Sequence, residues 1–133
     1  MVLPSILAMI VAVIAAMVIG FIWYSEPVFG KQWMQLLGMS QAQAEAGMKQ
    51  GMVYGIVATI IYVVFLGMLM NMVGVKNLNE ALTFGIIFSL ASYIPVQLHH
   101  KAWAQQPTKL ITINGACQVV MALVVCAILF WLG

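Results

Sequence analysis

Four stretches of this chain, residues 3–24, 51–73, 81–98 and 110–132, contain no Lys, Arg, Asp, Glu or His. Each is long enough to cross a hydrocarbon core of ~30 Å at ~1.5 Å of helix rise per residue. The whole chain of 133 residues is 65% hydrophobic and 6% charged, whereas soluble domains carry about 25% charged residues. A water-facing surface cannot be assembled from such a composition. The expected fold is therefore all-α and integral to a membrane: one domain over residues 1–133, with four transmembrane helices in a compact bundle.

The third run is diluted by Thr83, Ser89, Ser92, Pro95 and Gln97. Counting it as a span avoids leaving Gly85 to Leu90 in water. The first run has a second reading as a cleaved signal peptide. It lacks a basic leader and exceeds the usual apolar stretch of ~7–15 residues, which favours a retained helix.

Between the first two runs lies WYSEPVFGKQW. Trp23 and Tyr24 carry amphipathic rings suited to the headgroup level, so the first span ends there. Val28, Phe29, Trp33, Leu36 and Leu37 alternate with Lys31, Gln32 and Gln35 at helical spacing, which predicts a short interfacial helix over about 27–38. Ser40 followed by Gln43 has the capping-box spacing, so a new helix starts there and runs through Glu45 and Lys49 into the second span. Gly74 is a stop signal, and Asn77 with Glu80 repeats the capping pattern, predicting a tight hairpin between spans two and three. The last connection is expected over residues 99–109, with Pro107 in the first turn of the fourth helix.

Lys31, Lys49, Lys101 and Lys109 fall on one side of this arrangement, and Lys76 with the terminal amine on the other. The positive-inside tendency places the two long connections in the cytoplasm and both termini outside.

Small residues recur every fourth position: Ala8, Ala12, Ala16 and Gly20 in the first span, Gly47, Gly51, Gly55 and Thr59 in the second, Ala81, Gly85 and Ser89 in the third. Such stripes let helix backbones approach closely in lipid. They read either as packing within the bundle or as a self-association face.

A fainter echo links Tyr24, Pro27, Val28, Lys31 and Trp33 to Tyr93, Pro95, Val96, Lys101 and Trp103, as two repeated hairpins would produce. The spacings differ by insertions, which favours coincidence.

WYSEPVFGKQW after a small-residue helix, with QPTKLITINGACQVV opening the last span, resembles a bacterial family of small four-helix membrane proteins, the domain of unknown function 1761 family. The likeness covers nearly the whole chain. In the family pattern Pro more often follows the Ser directly, whereas here Glu26 intervenes before Pro27. The resemblance implies a multi-pass protein of the bacterial inner membrane and brings no activity with it.

The residues themselves argue against catalysis. The chain has no Asp and no Arg, no glycine-rich phosphate loop, and no Ser with a base near it in sequence. Cys117 and Cys126 are nine residues apart, on opposite faces of one helix, which suits buried packing rather than a redox pair. His99 and His100 are neighbours whose side chains diverge by about 100° on a helix, a poor arrangement for one metal and useless for haem between two helices. No cofactor, metal or nucleic acid is expected.

One polar constellation is left near the cytoplasmic boundary: Tyr24, Glu26, Tyr54, His99, His100, Asn114 and Gln118. It reads either as residues meeting headgroups or as a path for a cation or proton. Asn114 and Gln118 stand out because they lie i to i+4 inside an apolar helix, where amides need partners. Two function classes follow. The first is a non-catalytic structural or accessory protein that self-associates, or joins a larger membrane complex, through a small-residue helix face. The second is a small transporter or channel, since chain length and helix count resemble the small multidrug-resistance exporters. Those exporters place an acidic residue inside the first span, and residues 3–24 contain none.

Overall fold

A computed structural model describes residues 3–133. Among them there is no strand. Helix α1 spans Ile6–Trp23, a π-turn Glu26–Gly30 leads into α2 (Lys31–Leu37), and α3 spans Gln41–Val73. Helix α4 (Leu78–Phe88) continues through a second π-turn, Ser89–Tyr93, into α5 (Ile94–Trp103), and α6 spans Thr108–Leu132. Taken with the π-turn joining α4 and α5 into one rod, four helices are long and apolar enough to cross a membrane.

The caps form where the side chains direct them. Ser5 accepts from the Ala8 amide, Ser40 and Gln43 close a full capping box, and Asn77 accepts from the Glu80 amide. Each satisfies an amide that the first helical turn leaves without a carbonyl. Gly38 and Gly74 end α2 and α3 with φ of 66° and 77°, a left-handed conformation that favours glycine.

Two boundaries differ from the sequence expectation. The third span does not end at Leu98, because α5 carries on through Trp103 and makes His99 and His100 helical; the connection shrinks to 104–107. Pro107 precedes the first turn of α6 as its N-cap rather than lying within it. The helix survives Pro95 because of the second π-turn. Proline has no amide hydrogen for the regular bond, and the wider turn lets the Ile94 amide reach back to the Ser89 carbonyl.

Helix α6 is the hub, packed against α1, α4, α5 and more lightly α3. It carries more buried residues than any other described helix, and both cysteines are buried as free thiols on opposite faces. The α1 stripe is consumed here: Ala8, Ala12 and Ala16 are buried in the core shared with Val63, Leu66, Val125 and Leu129. Gly85 lets α4 press onto α6, where an added Cβ would lie 3.1 Å from the Ala122 carbonyl oxygen and 3.2 Å from the Cys126 sulfur. Gly67 of α3 takes the Pro4 ring, which would overlap any Cβ.

Helix α3 behaves differently along its length. Its 33 residues extend about 50 Å, and its buried residues, Val63, Leu66, Gly67 and Met70, all lie in the C-terminal half. From Gln41 to Ala58 no side chain is buried, so that half stands away from the hub.

Candidate functional site

The end of α1 is fastened to the start of α6 by two aromatic side chains. The Trp23 indole donates to the Ile113 carbonyl at 3.0 Å, and the Tyr24 hydroxyl donates to the Asn114 side-chain oxygen at 2.7 Å. At the opposite end the Ser5 hydroxyl donates to the Leu132 carbonyl at 2.8 Å, so the antiparallel pair is held at both ends. The Cys117 thiol and Tyr93 lie beside Tyr24. Burial of the amide therefore finds its partner across the α1–α6 seam, as an apolar setting demands.

The WYSEPVFGKQW segment supplies the rest of this corner. Ser25 accepts through its carbonyl from the Gly30 amide at 2.9 Å, and a Cβ on Gly30 would strike the Tyr24 carbonyl. Glycine is needed there for the chain to fold back so tightly. The turn sets Phe29 against Trp23 and Trp33 against Tyr24, with ring centroids 5.0 and 5.3 Å apart. Such tilted aromatic contacts add about 0.5–1.5 kcal/mol each.

Of the seven polar residues singled out by sequence, the structure bonds only Tyr24 to Asn114. Tyr54 is 68% exposed on the free half of α3 and takes no part in that bond. Glu26, His99 and His100 are exposed, and their side chains make no hydrogen bond or ion pair among the described residues. Gln118 lies one turn further along α6, next to the Tyr62 hydroxyl but without hydrogen-bond geometry to it. No three His, Cys, Asp or Glu side chains among the described residues gather closely enough to hold a metal ion.

Sequence reasoning passed over three other polar groups. The Tyr62 hydroxyl, the Ser89 hydroxyl and the Gln97 side-chain oxygen are buried without a partner, and Gln97 is only 6% exposed. An unpaired buried polar atom costs about 1–3 kcal/mol. Ser89 and Gln97 were visible as polar interruptions of the third apolar run, whereas nothing in the second run set Tyr62 apart.

Beside the Tyr24–Asn114 corner, α1 and α3 diverge into a cleft of about 430 Å³. Ala16 and Gly20 face it from α1, Gly51 and Gly55 from α3, and Trp33 and Met121 close its sides. The α3 glycines are uncovered: a Cβ at Gly47, Gly51 or Gly55 would meet nothing within 4 Å.

The fold thus defines an all-helical protein with four helices able to cross a membrane. The chain belongs to the family described as Protein of unknown function (DUF1761), which it matches over residues 7–130. Among curated proteins and among solved structures, none matches.

Proposed function

We propose that this protein is a multi-pass, non-catalytic component of the bacterial plasma membrane that associates with further copies of itself through the free half of α3. The observation that carries the reading is the contrast among its small-residue stripes. Ala8, Ala12, Ala16 and Gly85 are spent on contacts within the chain, whereas Gly47, Gly51 and Gly55 face empty space. Helices in lipid associate by close backbone approach, and three bare glycines in register offer it. A bilayer setting is supported by the exposed apolar side chains on every long helix, among them Ile6, Ile14, Phe65, Ile87 and Trp131, which water would not tolerate in such number.

If copies meet along this stripe, Gly51→Leu and Gly55→Leu will lower the stoichiometry seen by native mass spectrometry. The leucines have room in the single chain, so thermal stability of the monomer should stay within about 1 kcal/mol of the original. Unchanged stoichiometry in both variants refutes the interface.

The lysine distribution supports both termini lying outside the cytoplasm. Alkaline phosphatase fused after Gly133 should then be active in intact cells. An inactive fusion, paired with an active cytoplasmic β-galactosidase fusion at the same site, reverses the orientation.

A further inference from the structure

Further along α3 and adjoining the cleft, a second recess of about 440 Å³ opens between α3, the second π-turn and α6. Its walls are aromatic: Tyr62 from α3, Phe88 at the end of α4 and Tyr93 in the π-turn. Tyr62 and Phe88 hold their ring centroids 6.3 Å apart at 56°. The π-turn shapes this wall, since the widened turn carries both Ser92 and Tyr93 into the recess, with the Ser92 hydroxyl folded back onto the Phe88 carbonyl at 2.6 Å. Irregular turns of this kind inside a helix recur at functional sites.

The polar content of the recess is unusual for its surroundings. Gln118 lines it from an otherwise apolar stretch of α6, beside the buried Tyr62 hydroxyl, which reaches no partner at full hydrogen-bond geometry. With the phenol turned toward the amide oxygen, the amide hydrogens of Gln118 are left as donors for a ligand. Among the described residues no Lys, Arg, His, Asp or Glu lines the recess, so a charged ligand would find no counter-charge there. An acyl chain would fill the volume but leave the amide unpaired. Thr59 and Met121 line both this recess and the apolar cleft, so a tail can continue from one into the other.

We propose that this recess is a binding site for a neutral, lipid-soluble molecule with a flat ring that bears a carbonyl or hydroxyl oxygen and an alkyl tail. The ring lies among Tyr62, Phe88 and Tyr93, where aromatic faces and edges favour a flat partner. Its oxygen takes the Gln118 amide hydrogen, with the Tyr62 hydroxyl as the second group on that side. The tail passes Thr59 and Met121 into the cleft. The cleft that takes the tail is lined by Gly51 and Gly55 of the glycine stripe, whereas the ring site formed by Tyr62, Phe88, Tyr93 and Gln118 contains none of the stripe glycines and does not depend on self-association.

The test is equilibrium dialysis of the purified full chain in mild detergent against a radiolabelled decyl-substituted benzoquinone, with decanol as the tail-only competitor. Saturable binding that excess decanol does not displace is expected. Gln118→Leu, which keeps the volume but removes the amide, should weaken it about tenfold, the effect of one lost hydrogen bond in an apolar site. Ala58→Phe, at an exposed position on the rim, should block it by filling the recess, and it decides the matter if Gln118→Leu does not fold. Unsaturable uptake, equal displacement by decanol, or full binding by folded Ala58→Phe overturns the proposal. Stoichiometry from native mass spectrometry on the same samples reads the self-association face independently.

Discussion

Replacing Gly85 by leucine is expected to produce the largest loss of stability of any single change in the α4–α6 contact, about 3 kcal/mol or more. Even the first added atom would sit 3.1 Å from the Ala122 carbonyl oxygen and 3.3 Å from its carbon. Those are backbone atoms of the hub helix, and they cannot swing aside as a side-chain tip would. Overpacking a tight site costs about 1–3 kcal/mol when neighbours can adjust, and here the adjustment must be a rigid separation of two helices. That separation would also uncover Ala81 and Cys126, both fully buried now. Gly85→Ala should fall between the two, at about 1 kcal/mol, because only the single methyl must be fitted. Thermal unfolding in detergent, followed by circular dichroism, should rank the original above Ala and Ala above Leu. A leucine variant that melts with the original would show that α4 does not rest on α6 at this point.

The second large effect is expected at Gly30. A methyl group there would strike the Tyr24 carbonyl and lie 2.8 Å from the Ser25 carbonyl carbon and oxygen, so Gly30→Ala must open the first π-turn. The loss should be about 2 kcal/mol, typical of strain forced on a tight backbone turn. It should also have a local signature. Trp23 rests on Phe29, and Trp33 on Tyr24, so unfolding the turn would release both indoles and shift tryptophan emission toward longer wavelength at temperatures where the helices persist. Val28→Ala, an exposed change in the same turn, should leave the emission alone. Identical spectra for Gly30→Ala and the original protein would mean that the turn tolerates a side chain and that the described corner is wrong.

The two glycines also mark how far the sequence could be followed. Both were visible as glycines, one within WYSEPVFGKQW and one in a stripe of small residues, yet nothing in their spacing said what each would touch. The same holds for Asn114 and Gln118. They were paired by their shared helical face, but the structure gives Asn114 to Tyr24 of α1 and sets Gln118 beside Tyr62 of α3. Which neighbour an amide meets depends on where the other helices run, and periodicity along one helix carries no such information.

What the sequence determined by itself is the set of elements. Charge-free runs longer than a bilayer is thick, capping pairs at Ser40–Gln43 and Asn77–Glu80, and the stop glycine at position 74 act within a few residues, so they can be read locally. Tertiary structure alone decided how the elements use their surfaces. It spent the small residues of α1 and α4 inside the chain and left Gly47, Gly51 and Gly55 of α3 bare, carried α5 past Pro95 to Trp103, and left Tyr54 exposed. The physical reason is that burial and pairing are properties of two surfaces at once: a stripe of alanine or glycine is equally suited to any close backbone, and only the path of the whole chain settles which backbone arrives.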